Sequence, residues 1–545
     1  MRRIPAPCGG TSIQEIARSI MNDNFPTLGE LVKFAFDATG VLPRKRGEDD
    51  GLNDTDKKRI QKQLQRLTDE EGSLMDRCGE LIRNLGFLTA GAIPNAKVNL
   101  AFGEGVMDLF EVYNAVIRDE GTYLNKKDSI LWFCRAHAIP RLALSIQKHT
   151  HRFNLASEGL TVPPDPNWYL PTVNGDEIIW PIKKAMSWVY EACGVSRTHF
   201  HYPGKSANSD HAELQQNLEN ASDWFKGERL PSWPSLSWNF ARSFEYLESH
   251  SDPAYQRQFP ENLRESVFLI LFLSRLSTYI CNLIKETYGT VVLERLITQF
   301  TQHRDWLSED LESFAAETTA YIQRYSAPPA AIETIWMKFS EQYWTWLRDR
   351  YADMAQTLDY LLHENEYKPL PADTVAELIQ RYGEYSVRTA VERLEIHREF
   401  PIPSGFPQRL GEGFDLKKNP ECSDEDIDQY LKELRQDGLA SQLNWMERWL
   451  RGVVRYRNGD YESAFYHMEY AFEQAKYRAG GSQYLLVNQF IELAAKTDRW
   501  KSFKKGVEWA QYLGISIRWL RNEEPTEEAL QFVFTMMQKA TYAQL

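Results

Sequence analysis

The chain has 545 residues, of which 43% are hydrophobic and 13% aromatic. It is therefore long enough for two to four packed units, and its composition excludes extended disorder. Its formal net charge of -13 excludes attraction to nucleic acid by overall charge, although a local basic patch would still bind phosphate. Protein partners are the first expectation, with nucleic acid as a possible second partner.

The cysteines and the apolar segments of the sequence indicate the cellular location of the protein. The 6 cysteines are scattered and include no CxxC pair, which indicates reduced thiols. No apolar segment follows Arg2 and Arg3, so the N-terminus does not resemble a secretory signal. The most apolar run, Val267 to Leu273, is too short to span a bilayer. These features predict a cytoplasmic protein with no membrane partner.

The spacing of apolar residues predicts an all-α, multi-helical fold. Apolar residues recur every three or four positions along most of the chain, and sustained alternation is absent. Residues 1–152 are predicted to form an N-terminal helical domain, with a clear apolar stripe between Asp54 and Leu88. Residues 153–285 form an aromatic-rich helical region that opens with a proline-rich stretch, 153–180, without a helical period.

Two short segments within 182–245 resemble parts of a helix-turn-helix domain. The segment 191–197 is similar to its tight turn, and 224–232 is similar to the end of a recognition helix in phage-repressor-like domains. The resemblance implies contacts with DNA. The candidate residues are Arg197, Lys205, Lys226 and Arg229. The alternative is that the segment supplies an aromatic core, made of Trp224, Phe225, Trp233, Trp238, Phe240 and Phe244.

Residues 286–400 are predicted to form a long helical hairpin with a helical extension. One apolar stripe runs from Leu293 to Tyr325 and another from Ile332 to Leu361. Two prolines within 326–330 separate them, and proline ends one helix and can begin the next. Each arm would be about 50 Å long, and the hairpin would serve as a structural spine.

The C-terminal region is predicted to begin after a linker. Residues 401–422 mix proline, glycine and charge, which is typical of a linker or an irregular loop. Ser423 and Asp426 then have the spacing of a capping box at the start of a helix. The remaining domain comprises residues 423–545.

A repeat pattern appears within 445–515. Gly452 is followed by the turn 459–461 and by Ala464 and Ala471, which places small residues where neighbouring helices cross closely. This pattern resembles a tetratricopeptide repeat (TPR), and a weaker copy follows with Phe503 and Ala510 at the equivalent places. The family's first-helix tryptophan position falls on Arg448, with Trp449 beside it, so the match departs there. The resemblance implies TPR-like helical hairpins with a protein- or peptide-binding surface.

No motif identifies a catalytic site or a cofactor. Cys193, His199, His201, Asp210 and His211 lie close in sequence but lack the paired spacing of zinc ligands, so no metal is predicted. Arg393 and His397 are one helical turn apart, a geometry that suits RNA cleavage by helical nucleases, but the familiar motif has a longer spacing. Phosphate-loop, dinucleotide and hydrolase motifs are absent from the sequence.

The favoured function is a non-enzymatic helical scaffold or adaptor that binds protein partners through the TPR-like surface. The predicted partner-binding residues are Arg455, Tyr456, Tyr466, Glu469, Tyr470 and Glu473. The alternative is a nucleic-acid-associated regulator, or a component of a defence or mobile-element system, that uses the helix-turn-helix-like segment. An enzyme of unrecognised type is third, and a buried cluster of titratable side chains in a pocket would favour it.

Overall fold

The computed structural model describes residues 25–42, 54–70, 73–152, 159–175, 177–200, 211–227, 229–250, 253, 256–329, 368–520 and 525–539, with isolated positions between 331 and 361. Within them, helices make up nearly all of the regular structure, and the strands form a single two-stranded hairpin. The protein is therefore all-α and multi-helical, as the apolar periodicity predicts.

The N-terminal part is a series of helices interrupted by a π-helical turn. The elements are α1 (Leu28–Thr39), α2 (Asp54–Thr68), α3 (Leu74–Ala92), α4 (Ala96–Asp119), α5 (Lys126–Phe133), the π-helical turn (Cys134–Ala138) and α6 (Ile139–Arg152). A capping box starts α1, because Glu30 N donates to Thr27 Oγ1 (3.2 Å) and Thr27 N donates to Glu30 Oε2 (2.8 Å).

The aromatic-rich region begins with the strand hairpin and continues as helices. The elements are β1 (Thr172–Asn174), β2 (Glu177–Ile179), α7 (Pro181–Ala192), α8 (Arg197–Phe200), α9 (His211–Lys226), α10 (Trp233–Glu248) and α11 (Glu261–Tyr288). The strands are antiparallel, with Val173 opposite Ile178. The predicted boundary at 285/286 falls inside the last turn of α11. The break between helices lies instead at Gly289, whose φ of 90° suits glycine.

The helix α11 runs through the core and contains the apolar run 267–273. Among the described residues it is the one helix whose length and composition would allow it to cross a membrane, and half of its most apolar window is buried in the fold. It also carries the fully buried Arg275, which donates to the carbonyls of Pro231 (2.7 Å) and Ala38 (2.5 Å). Because Ala38 is at the C-terminal end of α1, this cation stabilises the negative end of that helix.

The first arm of the predicted hairpin is α12 (Thr290–Arg324), a single helix of 35 residues. Most of the second arm lies outside the described residues. At one described position, Tyr343 is buried, and its ring centroid lies 5.0 Å from that of Phe314 on α12. The helical extension consists of α13 (Ala372–Tyr382) and α14 (Glu384–Glu399), and α14 packs against α12 and the π-helical turn.

The C-terminal region is a run of helices packed in sequence. They are α15 (Phe406–Lys418), α16 (Asp424–Gln436), α17 (Asn444–Arg457), α18 (Tyr461–Ala475), α19 (Gln483–Lys496), α20 (Trp500–Tyr512) and α21 (Glu527–Lys539). The predicted capping box at Ser423 and Asp426 starts α16. Residues 401–422 differ from the expected irregular linker, because α15 forms there and Arg409 ties it to Glu433 and Asp437.

The C-terminal helices are bonded to the N-terminal helices through buried polar contacts. Tyr477 Oη donates to Glu70 Oε1 (2.8 Å) and accepts from Leu28 N (3.3 Å). Gln483 Nε2 donates to the carbonyl of Ile117 (2.8 Å). One continuous apolar core includes residues from both regions. The C-terminal region therefore packs as part of a larger body.

Candidate functional site

The six predicted partner-binding residues lie on α17 and α18, which are neighbours joined by a tight turn. Gly459 has a φ of 77°, and Asp460 Oδ1 accepts a hydrogen bond from Ser463 N (3.1 Å) at the start of α18. A Cβ atom at Gly452 would lie 3.4 Å from the carbonyl oxygen of Ala464. The two helices thus approach closely at the small residues on which the predicted resemblance depends.

Four of the six side chains are bonded to other helices of the protein. The pairs are Arg455 with Asp424 (2.7 Å), Tyr456 with Glu492 (3.0 Å), Glu469 with Ser502 (3.2 Å) and Glu473 with Lys505 (2.5 Å). These side chains hold α16, α17, α18, α19 and α20 together. These four side chains therefore stabilise the packing of the helices. The periodicity of the sequence alone does not reveal this role.

The other two predicted residues, Tyr466 and Tyr470, are exposed to 66% and 36%. The Arg448 guanidinium lies over the Tyr470 ring, 5.0 Å from its centroid. The His467 ring packs beside Tyr466 at 5.5 Å, and Arg448 Nη1 lies 3.4 Å from His467 Nδ1. We call Arg448, Tyr466, His467 and Tyr470 the tyrosine patch.

In the sequence pattern, Arg448 stands only as a departure, at the position where a tryptophan is expected. The structure explains the departure, because Trp449 is fully buried and its Nε1 donates to Gln489 Oε1 (2.6 Å). The adjacent position then faces outward and carries the arginine. Burial and the neighbouring Arg448 lower the pKa of His467, so the positive charge of the patch at neutral pH comes from Arg448.

Three of the four candidate nucleic-acid residues lie at described positions, and all three are exposed. The Arg197 guanidinium lies 5.4 Å from the centroid of the Phe225 ring. Lys226 is the last residue of α9, and the side chain of Arg229 is 81% exposed. Lys205 lies outside the described residues. A small basic surface therefore exists around Phe225.

The same segment also contributes aromatic side chains to the hydrophobic core. The alternative interpretation predicts an aromatic core there, and part of the predicted set is buried. Trp233, Phe240 and Phe244 are buried, and Trp224 and Phe225 are partly buried against the core. The basic surface additionally includes Lys183, whose Nζ lies 5.7 Å from the Phe225 centroid. Asp223, 4.0 Å from Arg229, offsets part of its charge.

A polar centre lies beside the π-helical turn, formed by residues distant in sequence. Glu120 Oε1 accepts a hydrogen bond from Arg393 Nη2 (2.6 Å) and lies 3.5 Å from His137 Nε2. The Trp132 ring lies between two histidines, 5.0 Å from the centroid of His137 and 5.6 Å from that of His397. π-Helical turns often occur at functional sites because they turn side chains out of the regular helical register.

The charges of this polar centre are set by burial and by Arg393. Burial lowers the pKa of both His137 and His397, and the charge of Arg393 lowers both further. Burial alone would raise the pKa of Glu120, but His137 and Arg393 lower it to about 2. At neutral pH the histidines are therefore neutral beside an ionised carboxylate. Such imidazoles can accept a proton.

The described residues contain no group of three or more potential metal ligands. Within the sequence cluster considered above, Cys193 is buried and burial raises its thiol pKa to about 12. The side chains of His199, His201, Asp210 and His211 lie outside the described part of the chain.

The fold and these sites define an all-α protein with a helical C-terminal region, an exposed tyrosine patch and an internal polar centre. Comparisons with protein-family models, with curated proteins and with solved structures find no match to the chain. Any functional assignment must therefore come from the residues themselves.

Proposed function

We propose that this protein is a non-enzymatic helical scaffold or adaptor that binds a protein partner through the tyrosine patch of a TPR-like region. The supporting observation is that Tyr466 and Tyr470 are exposed on α18, whereas Ala464, Met468 and Ala471 of the same helix are buried. Tyrosine and arginine contribute disproportionately to binding energy at protein interfaces. A patch on a helix packed on both sides also loses little conformational freedom on binding.

The charge of the patch indicates the chemistry of its partner. Arg448 pairs with the buried carboxylate of Glu447, and Arg451 pairs with the same carboxylate and with Asp424 and Asp428. Arg448 is the cation that lies beside the tyrosines, and its guanidinium favours a protein surface that presents carboxylates next to apolar side chains. An acidic segment of a protein partner is therefore the expected ligand.

Affinity purification from the native host tests this proposal. The wild-type chain is compared with the Tyr466→Ala/Tyr470→Ala variant, and Tyr325→Ala is the control because it removes a tyrosine that is 61% exposed on another surface. We expect a protein that binds the purified wild-type chain and the control directly, and binds the double variant at least about tenfold more weakly. Equal binding by all three chains would contradict the proposal, as would recovery of nucleic acid alone.

Point variants are preferable to a truncation at Pro420. Such a truncation removes Tyr477 and Gln483, which are hydrogen-bonded to N-terminal residues. The loss of a partner would then have two explanations, a missing docking surface and a damaged N-terminal region.

The second candidate is a nucleic-acid-associated regulator that uses the basic surface around Phe225. Arg197, Lys226 and Arg229 are exposed there, and Lys183 adds a further cation. DNA binding that weakens steeply with salt and is lost in a Lys226→Glu/Arg229→Glu variant would favour this function. Salt-independent binding, or binding unchanged in that variant, would count against it.

A further inference from the structure

A cleft lies between α12 and α14, above the π-helical turn. Its volume is about 330 Å³, and its lining includes Arg135, Arg295, Thr298, Gln299 and Glu392. This volume falls within the range of small-molecule sites, at its lower end. The cleft is on a different part of the protein from the tyrosine patch, so what binds in it is independent of the proposed adaptor function.

Two guanidinium groups meet at the cleft. Arg135 comes from the π-helical turn and its side chain is only 8% exposed, whereas Arg295 comes from α12 and its side chain is 52% exposed. Both donate to the carboxylate of Glu399, Arg135 at 2.5 and 3.0 Å and Arg295 at 3.1 Å. Two converging guanidinium groups, one of them buried, are an arrangement that recognises carboxylate and phosphate groups.

Glu399 is a replaceable partner for these arginines. It is the last residue of α14, where the helix dipole disfavours a negative charge, and its side chain is 46% exposed. Arg135 lowers the pKa of Glu399, so the carboxylate is ionised at neutral pH. The pair of Glu399 with the exposed Arg295 is open to water and contributes little, whereas the buried Arg135 requires that another anion take the place of Glu399 when it moves away.

Gln299 also lines the cleft, and its amide group is fixed by the π-helical turn. Gln299 is 3% exposed, and its Nε2 donates to the carbonyl of Arg135 (2.8 Å). This hydrogen bond connects α12 to the residue that supplies the buried guanidinium of the cleft.

The acidic residues of the cleft restrict the ligand further. Glu392 is held by the fully buried His303, with a distance of 2.5 Å between Oε2 and Nε2. Glu294 also lines the cleft. These carboxylates disfavour a polyanion and favour a ligand with one anionic group and a hydroxyl- or amino-bearing body.

We propose that this cleft binds a small molecule whose single phosphate monoester or carboxylate displaces Glu399 from Arg135 and Arg295. The hydroxyl or amino groups of the same molecule donate to the carboxylate of Glu392, which lines the cleft. In the absence of this ligand, Glu399 occupies the anion position and keeps the two guanidinium groups together.

Isothermal titration calorimetry at low ionic strength tests this proposal on the full chain. The probes are glycerol 3-phosphate, glycerate and inorganic phosphate, which separate a phosphate monoester, a carboxylate and a bare anion. We expect at least one organic probe to bind about tenfold more tightly to Glu399→Gln than to wild type, because the internal competitor is removed. Arg295→Ala should weaken the same probe by about tenfold or more.

Matched variants on the same helices are the controls. Arg324→Ala removes an arginine of α12 outside the cleft, and Glu395→Gln removes an exposed carboxylate of α14. Both should bind the probe as wild type does. The proposal would be overturned if neither organic probe binds even to the Glu399→Gln variant, or if Arg295→Ala and Glu399→Gln leave the affinity unchanged. It would also be overturned if the two control variants change the affinity as much as Arg295→Ala and Glu399→Gln do.

Discussion

Lys476 is enclosed between helices from both ends of the chain. It is 4% exposed, pairs with Glu473 at 2.9 Å, and forms a second ion pair with Glu70. Burial disfavours its charge, but the two carboxylates more than compensate and raise the pKa of Lys476. Burial likewise opposes ionisation of Glu473, and Lys476 and Lys505 lower its pKa. This ion-pair network makes the position sensitive to the loss of any one member.

We expect Lys476→Met to reduce the free energy of unfolding by about 3–5 kcal/mol at pH 7, because it leaves the largely buried carboxylate of Glu70 without this cation and Glu473 with Lys505 alone. A carboxyl with a lowered pKa stabilises the fold above its ordinary pKa of about 4.3, and this contribution is lost as the pH falls further. The difference between variant and wild type should therefore shrink from about pH 5 down to about pH 2, as the pH falls through the lowered pKa of Glu473, which is about 2. Chemical denaturation at several pH values measures it.

The control for that measurement is Lys504→Met, which removes a partly exposed ion pair with Glu527 at 3.1 Å. It should cost less than about 1 kcal/mol. A loss in Lys476→Met as small as in this control, or one that does not change with pH, would contradict the role given to the buried network.

Helical periodicity predicted where the tyrosines of α18 lie but not what the charged residues nearby contact. Tyr466 and Tyr470 are one turn apart on the same face, so their shared exposure follows from the 3.6-residue period. The partner of Arg455 is Asp424 on another helix, and that of Glu473 is Lys505. Such pairings depend on how helices pack, which no local pattern records.

At the scale of helices, the pairs α17–α18 and α19–α20 both cross closely at a glycine, but the glycine lies on the first helix of one pair and on the second helix of the other. In α17 and α18 the close approach is at Gly452, which faces Met468 and Ala464. In α19 and α20 the small residue is Gly506 on the second helix. A Cβ atom there would lie 2.7 Å from Ile491 Cγ1 and 3.0 Å from the Phe490 ring. The weaker second copy thus retains a close crossing.

Gly506→Ala should destabilise the protein by about 1–3 kcal/mol, because the added methyl group overlaps well-packed side chains. Gly411→Ala in α15 is the matched control, since a Cβ atom there meets nothing within 4 Å. It should be neutral or stabilise by up to about 1 kcal/mol through helix propensity. Thermal denaturation of both variants measures the contrast. Equal effects would show that the α19–α20 crossing is not tightly packed.

Most helices were predictable from apolar periodicity, and the exceptions have physical causes. The helix α15 contains Gly411 and Gly413 and has Pro407 as its second residue, so its composition resembles a loop. It is stabilised by tertiary contacts such as the hydrogen bond from Tyr430 Oη to the Arg409 carbonyl (2.9 Å). The π-helical turn has no comparable sequence signal. Within this turn, the carbonyl of Arg135 accepts a hydrogen bond from Gln299 of α12, a tertiary contact that no local sequence pattern indicates.

At the scale of the whole molecule, the N-terminal helices and the C-terminal helices are in direct contact. A Cβ atom at Gly480 would lie 2.4 Å from Gly121 N, and Thr122 N donates to the carbonyl of Arg478 (2.8 Å). The sequence indicates separate regions because its boundaries are local changes in composition. Contacts between residues hundreds of positions apart leave no such mark, and they determine which surfaces of the repeat-like region remain exposed.

The central claim, that the tyrosine patch is the docking surface, is tested most directly by tyrosine-selective covalent labelling with mass-spectrometric readout. Tyr466 and Tyr325 are exposed to 66% and 61% in the free chain and should react to similar extents. In the complex with a purified partner, we expect labelling of Tyr466 to fall severalfold while labelling of Tyr325 stays the same. A complex in which Tyr466 remains as reactive as in the free chain would contradict the account.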